Sequence, residues 1–433
     1  MDNIINKRLI FIFCIFVLFW LILLVRIFNL SFIDNQYYQE QATKNVLRDE
    51  VIAPIRVQIF DRNGEPLATN NIGFSLTFPP RLSLSANLPI LEQEIQKLIE
   101  FFPQYTKEEL IAKYSQKDTS YNHALISVID FVEHNLILKY YPQLSQSEFL
   151  RITPLARRYY PHNQSASHII GYIGKANSQD IDKQPITKYT KNIGKEGLER
   201  QYDIFLQGQL GNRIVKMDAL NREIDIISHK EAIEGSNITT TLDIQLQKSM
   251  DKIFEGKNGA AIIMDATNGE ILAAGSYPEY NLNYFVGGIS YKNWNALRDS
   301  PYKPLINKIT NGLYPPGSVV KMGMGLAFLE YAKIDENEEI ITPAFIESGG
   351  RKFRDWKKEG HGKSNLYKAI KRSVDVYFYL LSQKVDFENV ADVLKQMGLG
   401  EKTGVDLPNE SRGIVPSPSY KMQRLKQKWY DGD

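Results

Sequence analysis

The chain has 433 residues, with 52 Lys and Arg against 50 Asp and Glu and a formal charge of +2, a near balance that argues against a nucleic-acid binder, which needs a basic face for phosphates. With 43% hydrophobic residues, this length supports two or more domains with substantial cores. The single cysteine, Cys14, lies in the first apolar run, so disulfides and cysteine-based metal sites are excluded from the rest of the chain.

Residues 9–25 are unbroken apolar sequence, and with Arg26 to Leu30 they reach about the thickness of a bilayer. Lys7 and Arg8 precede the run, which favours a cytoplasmic N-terminus with everything after the run sent across the membrane. A cleaved signal would need a small-x-small site; Arg26-Ile-Phe-Asn-Leu-Ser-Phe32 is bulky, so the run reads as an uncleaved anchor.

Asp61-Arg-Asn-Gly-Glu-Pro-Leu-Ala68 predicts strand, turn and strand, with Asn63-Gly64 at the turn. Helical pattern follows from Ile90 to about Tyr141. Arg158-Tyr-Tyr-Pro161, His168 to Gly174 and Gly194 to Tyr202 read as structural strands and turns, because none combines a nucleophile, a base and an orienting group. A new domain is expected near Asn237, where Ile238-Thr-Thr-Thr-Leu-Asp243 is extended ahead of a helix at Gln245 to Ile253. Gly259 to Ser276 reads as a β-hairpin with Asn268-Gly269 as its tight turn.

Further along, Tyr314-Pro-Pro-Gly-Ser-Val-Val-Lys321 places Ser318 and Lys321 three apart where a helix begins. That spacing puts both side chains on one helical face, so the lysine amine can reach the serine oxygen. A serine at a helix N-terminus, with a lysine as base, is a layout for acyl transfer through a seryl intermediate. A capping serine followed by a solvated lysine has the same letters. Ser373-Val-Asp375 follows, ahead of the apolar run Val376 to Leu381; it can pass protons and orient the lysine, or be an ordinary helix N-cap at Ser373 or Asp375. Two strands, a long connection and a helix bearing a nucleophile suggest an α/β layered domain with an antiparallel sheet.

Asp355 and His361 are near enough in sequence to share an ion, but Gly360 and Gly362 add no ligand, so a solvated or locally bonded pair is expected and no metal is assigned. His123, His134, His162, His168 and His229 are scattered without ligand spacing, and the absence of a phosphate-cradling glycine loop implies no nucleotide cofactor. The basic run Lys421 to Lys428 reads as a solvated helix face.

Taken in order, the apolar anchor, Asp61 to Ala68, Gly197-Leu-Glu-Arg-Gln-Tyr202, Thr240-Thr-Leu-Asp243, the hairpin and Tyr314 to Lys321 resemble a class B penicillin-binding protein. Asp375 where most relatives have Asn, Phe353-Arg-Asp-Trp-Lys-Lys-Glu-Gly-His-Gly362 and Lys428-Trp-Tyr-Asp-Gly-Asp433 point to the elongation type. The resemblance implies a multidomain α/β protein: a cytoplasmic tip and transmembrane anchor over 1–30, a mixed α+β pedestal (dimerisation-type) domain over 31–236, and a penicillin-binding, serine β-lactamase-like transpeptidase domain over 237–433. It implies a bacterial inner-membrane D,D-transpeptidase with its bulk outside the cytoplasm, needing no cofactor. Ser318 would be the acylated nucleophile with its N–H in the oxyanion hole, Lys321 the general base, and Ser373 and Asp375 would shape the proton path. Peptidoglycan stem peptides, with a D-Ala-D-Ala donor and an amine acceptor, would be substrates, and β-lactams would acylate the same serine. A SEDS-type, RodA-like glycosyltransferase and shape-determining proteins would be partners.

The family also carries a third motif, Lys-Thr-Gly or Lys-Ser-Gly, on a strand beside the cleft. Lys402-Thr-Gly404 has those letters, but it falls between Gly400 and Val405-Asp-Leu-Pro-Asn-Glu410, in what reads as a connecting segment. The true third motif is expected downstream of Asp433, so the 433-residue chain is expected to lack its last strands and to turn over weakly or not at all. A non-catalytic membrane-anchored interaction protein and a β-lactamase or β-lactam sensor remain open alternatives.

Overall fold

The computed structural model describes residues 2–33, 46–122, 124–217, 223–430 and 432; of the residues singled out above, His123, Asp431 and Asp433 lie outside this set. An α-helix covers Asp2–Phe28. Its stretch Phe11–Ser31 is long and apolar enough to cross a membrane, and none of it is buried against the protein. A helix that apolar on all sides satisfies its own backbone and leaves its side chains for lipid.

The next unit is built on the long strand Pro66–Phe78. Ile59–Phe60 enters it through a turn in which the buried Asp61 accepts hydrogen bonds from the N–H groups of Asn63 and Glu65, both at 2.8 Å. Gly64 takes a φ of +84° there, so Asn63-Gly64 does lie at the turn. The long strand pairs antiparallel with Ile126–Glu133 on one side and Arg151–Tyr159 on the other. Helices Leu88–Phe101 and Lys107–Lys117 lay Leu91, Ile95, Leu98, Leu110 and Tyr114 onto this sheet in one core with Leu76, Phe78 and Val128.

Within the region of expected helical pattern, Ile126–Glu133 is a strand. Ile-Ser-Val-Ile-Asp-Phe-Val-Glu is rich in β-branched and aromatic residues that fit a half-buried pleated surface, and the waiting edge of Pro66–Phe78 decides the outcome. A separate three-stranded sheet pairs Leu47–Ile52, Gly211–Met217 and Glu223–Lys230 antiparallel in that order.

Two of the three stretches without catalytic pattern meet in a buried ionic knot, and the third joins it through the Ile173 N–H, which donates to the Tyr160 hydroxyl at 3.1 Å. Glu199 accepts from Arg158 Nε at 2.6 Å, from Arg56 Nε at 2.7 Å and from the Tyr160 hydroxyl at 3.1 Å, while Arg56 also reaches Asp203 at 2.7 Å. Burial opposes ionisation of Glu199, but the two guanidinium groups outweigh it and hold its carboxyl below the usual range. His168 is buried with Nε2 2.8 Å from the Pro304 carbonyl, and burial pushes its pKa down to about 4, so it sits neutral.

The second half is joined to the first by shared structure. Ile238–Thr239, just past the expected boundary at Asn237, pairs parallel with Ile59–Phe60. Asp243 caps the helix Ile244–Ile253, and Asp61 adds an acceptor for the Ile244 N–H at 3.3 Å. One hydrophobic core runs across the junction, from Val57, Leu67 and Tyr160 to Leu242, Ala274, Tyr280 and Phe285. The hairpin pairs Gly259–Met264 with Ile271–Tyr277. Its connection is residues 265–270 rather than a two-residue turn, because Asp265 draws in the Thr267 N–H at 2.8 Å and Asn268 that of Glu270 at 2.9 Å, widening the loop before Gly269 closes it. Among the described residues this sheet has two strands, and Ile262 and Met264 on its outer strand are 48% and 57% exposed.

Glu279 bridges the halves by accepting from the Ser167 N–H at 2.6 Å and the Ser276 N–H at 3.2 Å. Burial pushes its carboxyl up to about 8 from an ordinary 4.5, with Asp251 adding to the rise. The folded protein therefore binds this proton more tightly than the unfolded chain, so Glu279 favours folding below pH 4.5 and opposes it increasingly as pH rises to about 8. Glu279→Gln should flatten this component, worth at most about 1.4 kcal/mol per pH unit, and should raise stability relative to the parent at pH 8 more than at pH 5; urea unfolding across that range measures it.

Candidate active site

Pro315-Pro316 ends the preceding chain, and Gly317, at φ +58°, turns it into a short 3₁₀ turn, Gly317–Val320. The α-helix proper runs from Lys321 to Ala327 and widens into a π turn over Phe328–Ala332. Ser318 thus lies in a tight entry turn, exposed, and Lys321 opens the α-helix with its side chain buried. The expected helix start is in place, but its first turn is 3₁₀ and opens on the left-handed Gly317, directly after Pro315-Pro316. Gly323 lets this helix approach Phe387–Gln396, because a Cβ there would stand 2.6 Å from Leu394 Cδ2. Phe328, Leu366, Ala369, Val374, Tyr377 and Leu394 close the core beneath the site.

Ser373 ends the helix Leu366–Arg372 in the left-handed conformation, φ +51°, which turns its hydroxyl toward Ser318. Its Oγ donates to Ser318 Oγ at 2.8 Å. Lys321 Nζ donates to Ser373 Oγ at 3.1 Å, to the Ser373 carbonyl at 3.0 Å and to Asp375 Oδ1 at 2.5 Å. The Lys321 ammonium also stands 5.5 Å from the centre of the Phe378 ring, a favourable cation–π position. All four candidate residues therefore meet at one place. Among the described residues there is no direct Lys321–Ser318 hydrogen bond: Ser373 links them, because the lysine is drawn to the carboxylate and carbonyl beneath it.

Neither Ser373 nor Asp375 is the helix cap that simple patterning allowed. The N-cap of Asp375–Ser382 is Val374, with no capping side chain. Asp355 and His361 form a locally bonded and buried pair, 3.2 Å apart, with side chains 0% and 5% exposed. Lys402-Thr-Gly404 lies in a loop, where Glu410 accepts from the N–H groups of Thr403 at 2.7 Å and Gly404 at 3.2 Å. The Phe378 contact was not foreseen; its position three residues after Asp375, on the same helical face, was the available signal.

The profile of the penicillin-binding protein dimerisation domain matches residues 51–240, and that of the penicillin-binding protein transpeptidase domain matches 259–429. The chain belongs to the penicillin-binding protein family. It is 34% identical to the peptidoglycan D,D-transpeptidase MrdA of Acinetobacter baumannii over 95% of this chain and 61% of that protein. It is 31% identical to MrdA of Salmonella typhimurium over 99% of this chain and 69% of that protein. A solved complex between Penicillin-Binding Protein (PBP2) and MreC from Helicobacter pylori superposes with a TM-score of 0.82 and 47% identity, covering 88% of this chain and 71% of that one. The chain spans from 61% to 69% of the length of these MrdA proteins.

The left-handed backbone of Ser373 costs a non-glycine residue about 1 kcal/mol or more. Ser373→Gly should therefore be more stable than Ser373→Ala by about 1 kcal/mol, both lacking the hydroxyl; denaturant midpoints of the two variants provide the measurement.

Proposed function

We propose that this chain carries the acyl-transfer site of an elongation-type peptidoglycan D,D-transpeptidase. The observation that carries the reading is the unbroken hydrogen-bond path from Ser318 through Ser373 to Lys321 and Asp375.

The path assigns roles by position. Ser318 Oγ attacks the carbonyl carbon of the penultimate D-Ala of a stem peptide. With both hydroxyls rotated from the resting order, so that Ser318 donates to Ser373 and Ser373 to Lys321, Ser373 takes the Ser318 proton as it passes its own to Lys321, which enters as the neutral amine and leaves as an ammonium held by Asp375 and the Phe378 face. The tetrahedral oxyanion is received at the Ser318 N–H, in a first helical turn whose N–H groups lack intrahelical acceptors. Collapse breaks the C–N bond and the proton returns along the path to the departing D-Ala amine; an acceptor amine then attacks the seryl carbonyl carbon and gives up a proton to the path, and the C–O bond to Ser318 breaks as that proton returns to Ser318 Oγ. A β-lactam follows the first half of this course, but its leaving amine stays tethered and the ester persists.

The apolar stretch Phe11–Ser31, with Lys7 and Arg8 before it, supports an inner-membrane anchor with the site on the outer side. The Helicobacter pylori relative is described in complex with MreC, which supports a shape-determining partner for this chain; a SEDS-type glycosyltransferase would be a second.

Incubation of the purified chain with a fluorescent penicillin, followed by intact-mass spectrometry, should yield one adduct per chain that disappears in Ser318→Ala. Ser373→Ala should slow adduct formation by about 10²- to 10⁴-fold, the usual scale for a positioned proton-transfer group. A parent chain that forms no adduct at Ser318 would overturn the reading.

A further inference from the structure

The helix Asp375–Ser382 begins without a cap of its own. Val374 has no side-chain acceptor to offer, yet the first N–H groups of a helix need one. Asp355, far back in sequence, fills the gap: its Oδ2 accepts from the Val376 N–H at 3.1 Å. Its other oxygen accepts from the Lys357 N–H and stands against His361 Nε2, both at 3.2 Å. The next residue, Trp356, donates from Nε1 to the Arg372 carbonyl at 3.1 Å. Two adjacent residues thus grip the chain immediately before and after Ser373-Val374-Asp375.

The gripping segment is itself anchored. The Asp355 N–H reaches the Ala344 carbonyl at 2.9 Å, the His361 N–H reaches Thr342 at 3.0 Å, and Lys368 Nζ holds the His361 carbonyl at 2.9 Å. Phe353 packs edge-on against Tyr379 of the same helix, with ring centres 5.6 Å apart. The turn so held contains Ser373 at φ +51°, a conformation that a side-chain-bearing residue keeps only when its surroundings impose it. The Ser373 hydroxyl must also stay within bonding distance of two partners at once, 2.8 Å from Ser318 and 3.1 Å from Lys321.

We propose that Asp355 and Trp356 are positioning residues that clamp the Ser373–Asp375 turn, with His361 orienting the Asp355 carboxylate. The clamp acts through the turn, since the side-chain hydrogen bonds of Asp355 and Trp356 go to Val376, Lys357, His361 and Arg372 and none goes to Ser318 or Lys321. Its catalytic consequence rests on the acyl-transfer reading above, whereas its structural consequence does not.

Two readouts on the whole chain test it, using Asp355→Ala, Asp355→Asn and Trp356→Phe. Hydrogen exchange reports the clamp alone: the Val376 amide should exchange about tenfold faster or more in Asp355→Ala and return toward the parent rate in Asp355→Asn, which keeps an acceptor oxygen. The concentration dependence of penicillin acylation separates binding from chemistry. The acylation rate constant should fall by about 10- to 100-fold in Asp355→Ala and by a few-fold in Trp356→Phe, with the affinity of the initial complex within about twofold of the parent. Asn should restore most of the loss. Unchanged Val376 exchange in Asp355→Ala, or parental acylation in both Asp355→Ala and Trp356→Phe, would overturn the proposal. If the parent forms no Ser318 adduct, the acyl-transfer reading fails and the exchange experiment still decides the clamp. If Asp355→Ala does not fold, Asp355→Asn and Trp356→Phe carry the comparison: no change in acylation rate for Trp356→Phe then overturns the proposal.

Discussion

The site depends on one hydroxyl. Ser373 Oγ lies between Ser318 and Lys321, and it is there because residue 373 adopts a left-handed backbone between two helices. A serine on a regular helix would point along that helix and lose one partner or the other. The cost of the unfavourable φ is met by the surrounding packing: Val374 is fully buried in the core beneath, and the helices on either side share that core. Stability spent at this turn places one hydroxyl between the Ser318 oxygen and the Lys321 amine.

The charges at the site follow a consistent logic. Lys321 is buried and makes three hydrogen bonds, two of them to the serine that connects it to Ser318 and one to a carboxylate. Three acceptors around one amine fix its position against Ser373. Further from the site, Glu199 between Arg56 and Arg158 ties sequence segments more than a hundred residues apart into one scaffold. Glu279 reaches across the junction between the regions matched by the two family profiles and takes N–H groups from both sides. The two halves are therefore joined by strand pairing, a common core and buried polar contacts together.

Much of this was legible in the residues. The apolar run, the Asn63-Gly64 turn, the helix at residues 244–253 and the helix start after Pro315-Pro316-Gly317 each depend on local chemistry: uninterrupted hydrophobicity, a residue tolerant of positive φ, a capping carboxylate, a proline-glycine stop. Such signals act within a few residues and survive without knowledge of neighbours. The strand Ile126–Glu133 was not legible, because an apolar β-branched run beside helices is ambiguous until a sheet edge presents itself. The widened hairpin loop was missed for a related reason: Asp265 and Asn268 compete for backbone N–H groups that a tight turn would have used differently.

What the sequence determined by itself was the inventory: which segment can enter a membrane, which residues can act as nucleophile, base and proton carrier, and roughly where helices begin. What only the tertiary structure decided was their connection. That Lys321 reaches Ser318 through Ser373, that Phe378 lies beside the ammonium, and that Asp355 caps a helix whose own cap position is a valine all require groups distant in the chain to be brought within about 3 Å for a hydrogen bond, or somewhat more for a ring contact. Hydrogen bonds of that kind depend on direction and distance together, and those are set by how whole helices pack against one another.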